Sequence, residues 1–359
     1  MKEIHEKLKK NIIDLCSVMS VSGFEPRASE ELREKLAPHF DEYRRDAVGN
    51  HMFIKRCGKE DAPLCLVDTH FDEVGMIVTE ICDKGFLRFT QIGGLSLAVL
   101  QAADVTVYGK KTVRGVITST PPHLRGGSSD ELEDMDKLLI DTGYSKETLE
   151  EIAPVGTPIG FSPCYGELLN GQIMGKSFDN KACAAICATA IMDAKKEDLA
   201  CDVALLLSAY EETSRLGGVA TGVFSLSPDY AMVVDVNLAR VPDTPKYETV
   251  PLGEGISLAL SPCTSRALTM ASKKLCEEKS VAYVTVAAPS STGTNSPTVN
   301  LVGEGVPVVD VGLPLKNMHT YNETISLDDA YSLYRFTAEF IKSRDIANSF
   351  AKSGEELPL

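Results

Sequence analysis

Apolar positions along this chain change period several times, and each change marks an element. Ile4, Leu8, Ile12, Leu15 and Met19 recur at helical spacing between charged residues, so the chain opens with an amphipathic helix ending near Ser20. A Gly- and Pro-containing loop precedes a second helix that turns Leu32 and Leu36 inward. Next come a hairpin, with arms at 45–48 and 52–55 about a Gly49-Asn50 turn, and a buried strand at 64–68. From Gly75 to about Cys164 the rhythm shortens. The runs MIVTEIC, FLRFTQI, DVTVYG and TVRGVITS, separated by Gly or Lys-Gly turns, predict an all-β insert. It carries one short helix at 145–152 and a polar stretch, PPHLRGGSSDELEDMDK, that reads as a long surface loop.

Beyond Gly171, helices and strands alternate. The pattern predicts helices at 180–195, near 219, at 265–279 and at 327–341, and strands at 203–207, 230–236, 282–287 and 306–311. Strands separated by helices imply a mainly parallel sheet covered on both faces. The fold class is therefore α/β, with one discontinuous domain at 1–73 and 166–359 and a β insert at 74–165.

Composition narrows the partners. A net charge of -15 over 359 residues disfavours nucleic acid and anionic membrane surfaces, both of which require a basic face. No run of eighteen apolar residues suggests a membrane span, and the N-terminus does not read as a signal peptide. Ten cysteines without a CxxC pair read as reduced thiols of a cytoplasmic protein, which disfavours a zinc-thiolate site.

Candidate chemistry gathers where the predicted strands stop. His70 and Asp72 follow one strand, Glu211 and Glu212 the next, Asp235 ends VVD, Asp179 precedes a helix, and His319 follows VVDVGLPLKNM. Open α/β sheets bind ligands at the carboxyl ends of their strands. Each residue alone has a dull explanation; so many at one edge do not. Imidazole and carboxylate without thiolate suit a dinuclear zinc or cobalt site. His70 and Asp72 lie two apart in extended chain and face the same way, so Asp72 can orient His70. Glu211 and Glu212 face opposite ways, so one can reach a cation and the other a water. Asp179, with two oxygens, can bridge two cations.

The spans VDTHFDEVGMIV, KSFDNKA, SAYEET, VVDVN and GLPLKNMHTYNE resemble, in order and spacing, the motifs of the dinuclear-metal aminopeptidases of the tetrahedral (TET) type. That family is also called the glutamyl aminopeptidases and was formerly described as endoglucanases. The resemblance covers nearly the whole chain. It implies that His70 and Asp235 hold one metal, that Glu212 and His319 hold the other, and that Asp179 bridges them. Asp72 would orient His70, and Glu211 would be the general base. It also implies a zinc-peptidase-like catalytic domain, a PDZ-like β-barrel insert that helps build homo-oligomers from dimers to dodecamers, and an often cis peptide after the bridging Asp. The expected activity is removal of N-terminal residues from short peptides. A deacylase or dipeptidase of the wider co-catalytic group, and a non-catalytic peptide-binding scaffold, remain the alternatives.

Several positions depart from the family pattern. Thr213 and Ser214 stand where Val-Gly is usual, Gly293-Thr294-Asn295-Ser296 where many members read Gly-Thr-Asp-Ala, and Lys316 where Arg is common. These place the Arg215 region and the 291–296 loop as expected contributors to the pocket for the first side chain. His123 is a candidate for reaching a neighbouring subunit's cleft.

Overall fold

A computed structural model of the chain describes residues 2–121, 134–213 and 217–351. Helix α1 (Lys2–Cys16) buries the predicted stripe of Leu8, Ile12 and Leu15, and α2 (Ser29–Leu36) buries Leu32 and Leu36. Strands β1 (Glu42–Arg45) and β2 (His51–Lys55) form the hairpin. Its first arm stops at Arg45 rather than starting there. The Asp46 carboxylate accepts the N–H groups of Val48, Gly49 and Asn50 at 2.9–3.0 Å, and so folds residues 46–50 into the turn. Strand β3 (Leu64–His70) then runs through the core.

The β insert is a closed barrel. Strands β4 (Gly75–Ile81), β5 (Phe86–Ile92), β6 (Asp104–Tyr108), β7 (Thr112–Ile117), β8 (Ile140–Asp141) and β9 (Pro158–Phe161) close in the order β4-β5-β8-β7-β6-β9. Inward residues such as Met76, Leu87, Val105, Val107, Ile140 and Ile159 fill it as a separate apolar core. Between β8 and β9 lies α3 (Lys146–Ile152), capped by the Ser145 side chain accepting the Thr148 N–H.

After the barrel come β10 (Gly166–Glu167), β11 (Gln172–Gly175), α4 (Phe178–Asp193), β12 (Asp202–Ser208), α5 (Gly217–Leu226) and β13 (Tyr230–Leu238). They are followed by β14 (Ile256–Leu260), α6 (Arg266–Lys279), β15 (Tyr283–Ala287), α7 (Ser296–Leu301) and β16 (Val308–Leu315). The chain closes with β17 (Glu323–Ser326), α8 (Leu327–Phe340) and α9 (Arg344–Phe350). The main sheet has the order β1-β2-β12-β3-β13-β16-β14-β15. Neighbours β12, β3, β13 and β16 are parallel, whereas β14 runs antiparallel to β16. Both faces are covered. On β12, Leu205 and Leu207 join the core beneath α1, α4 and α8, while Ala204 and Leu206 face α5. Helix α4 is buried from Phe178 to Ile191 because α1, α8 and the sheet enclose it, which is why its sequence is apolar all round.

Strand β14, helix α9 and the small β10-β11-β17 sheet have no counterpart in the pattern reading. Each is seven residues or fewer, too short for periodicity to separate from loop. No helix among the described residues is long and apolar enough to cross a membrane. All ten cysteines are free.

Candidate metal centre

Parallel strands bring their side chains to one end of the sheet. His70 is the last residue of β3 and lies in register with Ser208, the last residue of β12. The chain then turns through Tyr210, whose φ of 64° is left-handed, into Glu211 and Glu212. Asp235 does not end its strand, which runs two residues beyond the predicted end at 236. It projects from within β13, because pairing with β16 carries the ladder on to Leu238. His319 lies in the turn after β16, at φ 61°. Asp179 comes from the irregular start of α4, where Asp179 and Asn180 depart from helical angles and the peptide bond between them is cis.

These residues meet. Asp179 lies between the two histidines, with Oδ1 3.1 Å from His70 Nε2 and Oδ2 3.4 Å from His319 Nε2. Asp235 Oδ1 is 3.5 Å from His70 Nε2, and Glu212 Oε2 is 3.1 Å from His319 Nε2. Glu211 Oε2 stands 3.9 Å from His70 Nε2, at the edge of the group. His70 is 2% exposed and His319 29%, so the two halves of the site differ in their access to water.

Asp72 has two tasks. The His70 Nδ1 lies 3.2 Å from its backbone carbonyl and 3.5 Å from its carboxylate. Its carboxylate oxygens also accept the N–H groups of Glu211 and Glu212, at 3.1 and 3.0 Å. One buried side chain therefore fixes both a histidine and the paired-glutamate turn.

Sequence reasoning missed two further acids. Glu323, buried at the start of β17, accepts the Asp179 N–H at 3.0 Å and the His319 N–H at 2.8 Å. Glu25, buried near the N-terminus, accepts the Tyr210 N–H at 3.2 Å. An acid that holds distant backbone amides leaves no periodicity. The only available signal was the place of Glu323 at the end of GLPLKNMHTYNE.

The electrostatics follow from crowding carboxylates in a buried place. Burial, then the neighbouring charges of Asp235, Glu212 and Asp72, pushes Glu211 up to about 8 against the pull of His70. Burial and Asp179 push Glu212 up to about 7. Burial works against a charged His319, but hydrogen bonds with Asp179 and Glu212 outweigh it and raise its pKa to about 11. His70 is likewise raised well above its usual value by Asp235, Asp179 and Asp72, in spite of burial. The two imidazoles hold Asp179 well below the usual carboxylate range, although burial opposes this. Four carboxylate groups crowded around two imidazoles in a buried place make a pocket that favours positive charge.

The residues present fit metal. His70, Asp179 and Glu212 offer ligand atoms within 4.8 Å of one another. The Glu212 Oε1 atom is buried without a hydrogen-bond partner. The N···O separations of 3.1–3.5 Å are close to the edge of a tetrahedron built from zinc bonds of ~2.0–2.1 Å.

The 291–296 loop is split: Ser291 and Gly293 are exposed and Thr292 half-buried, but its second half turns inward. Thr294, Asn295 and Ser296 are buried, and their side chains bond to strand residues of the sheet. Asn295 Nδ2 donates to Asp68 and to Ser208 Oγ, each at 3.0 Å. Thr294 and Ser296 hydroxyls each donate to Asp310 at 2.6 Å. The missing carboxylate at 295 is thus matched by Asp68 beside it. Ser214, Arg215 and His123 lie outside the described residues.

Known proteins share this architecture. The model of the M42 glutamyl aminopeptidase family matches residues 49–336. The lysyl aminopeptidase of Pyrococcus furiosus is 27% identical over 351 residues, covering 94% of this chain and 98% of its own. The crystal structure of a TET aminopeptidase from a marine-sediment Thaumarchaeota archaeon superposes with a TM-score of 0.87 at 27% identity, covering 96% of this chain and 99% of that one. PhTET1-12s, solved with a dodecamer in the asymmetric unit, gives a TM-score of 0.78 at 25% identity and covers 94% and 98%. The chain belongs to the M42 glutamyl aminopeptidase family and is an aminopeptidase, a hydrolase of peptide bonds in a family that depends on metal.

Proposed function

We propose that this aminopeptidase removes N-terminal residues from short peptides with two divalent cations, zinc or cobalt. His70 and Asp235 hold one cation, Glu212 and His319 the other, and Asp179 bridges them. The observation that carries this reading is the single Asp179 carboxylate aimed at two histidines, 3.1 Å from one and 3.4 Å from the other. Bound there, the cations would supply Lewis acidity and a water whose pKa falls from about 15.7 toward ~7.

The remaining work belongs to the chain. Glu211 sits at the rim, 3.9 Å from His70, where it can accept a proton from the attacking water and return it to the departing amine. Burial and the neighbouring acids Asp235, Glu212 and Asp72 raise its affinity for a proton, which helps it hold the proton before returning it. Asp72 holds the backbone of Glu211 and Glu212 while touching His70, so the base and a ligand on either side of Asp179 keep one geometry.

The 74–165 insert is proposed to help assemble a homo-oligomer, between dimer and dodecamer. The closed barrel and the dodecameric PhTET1-12s support this. A cytoplasmic location fits ten free cysteines, and the charge of -15 argues against nucleic-acid and membrane partners.

The test is a panel of aminoacyl-p-nitroanilides and N-acyl amino acids, run with chelator-stripped protein and with added zinc or cobalt. Metal-restored cleavage of the anilides is expected. Cleavage confined to N-acyl substrates would move the chain to the deacylases. Anilide turnover that persists in protein shown to be metal-free would end the dinuclear reading.

A further inference from the structure

The two histidines are steadied from different places. A metal-binding histidine is oriented by whatever accepts its second N–H. For His70 that partner is Asp72, two residues along the same strand exit. For His319 it is the backbone carbonyl of Gly94, 2.9 Å from Nδ1, in the barrel loop after β5. The same loop touches the neighbouring ligand. A Cβ on Gly93, whose φ is +78°, would lie 2.8 Å from Val74 and 3.3 Å from the Glu212 carbonyl; one on Gly94 would lie 3.3 Å from His319 Nδ1. A second barrel contact braces the turn, since the Phe161 ring meets Tyr321 edge-on at 5.7 Å. Among the described residues, no barrel hydrogen bond or ring contact reaches His70 or Asp235.

We propose that Gly93 and Gly94 are positioning residues of the metal centre, through which the barrel sets the affinity of the cation position shared by Glu212 and His319. The Gly94 carbonyl holds the Nδ1–H tautomer and the ring plane, leaving Nε2 to face Glu212 and Asp179. Both glycines allow the loop to approach this closely. The barrel thus acts on one half of the centre, whereas the His70 and Asp235 half rests on buried strands. The inference rests on the dinuclear reading above.

The experiment is calorimetric titration of the metal-stripped full-length protein with zinc, repeated with cobalt while following its visible absorption. Wild type is expected to take up two ions. Gly94→Ala should weaken one of them by roughly 10- to 100-fold, the usual cost of disturbing a ligand's outer partner, and leave the other unchanged. Tyr321→Ala, at a 40% exposed site, should weaken the same ion to a smaller degree, and Tyr321→Phe should restore it. If Gly94→Ala does not fold, the Tyr321 pair decides. Two ions bound with wild-type affinity in the variants, or both weakened equally, overturns the proposal and leaves the dinuclear reading intact. Fewer than two ions in wild type removes that reading and this proposal with it.

Discussion

Glu323→Ala probes how the centre is held together while leaving every proposed ligand side chain in place. The carboxylate is 2% exposed and accepts two N–H groups, from Asp179 at 3.0 Å and His319 at 2.8 Å. Each buried donor left without a partner costs about 1–3 kcal/mol, so a rigid site would lose about 2–6 kcal/mol. The site is not equally rigid on both sides. Asp179 is only 6% exposed, whereas His319 is 29% exposed and its turn can relax outward. About 1–3 kcal/mol should therefore appear as lost stability, and the remainder as displacement of His319 from Asp179. At 1.4 kcal/mol per factor of ten, that displacement should weaken metal binding by about ten- to a hundredfold. Urea unfolding of the metal-free protein measures the first quantity, and metal titration with kcat at saturating metal measures the second. Glu323→Gln keeps one acceptor and should fall between wild type and Glu323→Ala. An alanine variant that loses stability yet binds metal and turns over as wild type would show that Glu323 supports only the fold.

Three other outcomes are expected. Glu211→Gln should keep metal binding and lose about 100- to 10,000-fold in kcat, the usual range for a general base; a near wild-type rate removes Glu211 from that role. Asn295→Asp replaces the donor 3.0 Å from Asp68 with a second buried acid, and should cost at least about 1–3 kcal/mol at neutral pH. That loss should shrink as pH falls and one acid takes a proton, and it should be relieved by adding Asp68→Ser; additive effects in that double-mutant cycle would contradict direct contact. His51 is fully buried, between Tyr43 and the Glu25 carbonyl, and burial lowers its pKa to about 4. Unfolding lets it take a proton near pH 6.5, so stability should hold above that pH and fall by up to about 3 kcal/mol between pH 6.5 and 4. A His51→Gln variant with the same acid slope as wild type would show that another group is responsible.

Much of the fold was legible because its signals are local. The stripe at Leu8, Ile12 and Leu15 states which face is buried, and the unbroken apolar run VALLL states that both faces of its strand are. Short β14 was not legible. It reads as strand only because β15 and β16 flank it. The end of β13 was misplaced for the same reason, since pairing with β16 extends it past 236 to Leu238. The candidate ligands were visible as residue types at strand exits and as five ordered motifs, and all of them meet at one end of the sheet.

What the sequence by itself determined is the identity of the groups: two imidazoles, a carboxylate ahead of a helix, paired glutamates and an insert of different period. Those follow from composition and spacing along the chain. Only the tertiary structure decided what holds them. Glu323, Glu25 and Gly94 act on backbone or ring atoms 4 to 225 residues away through hydrogen bonds that have no period and select for no pattern. Their partners exist only once the chain has folded.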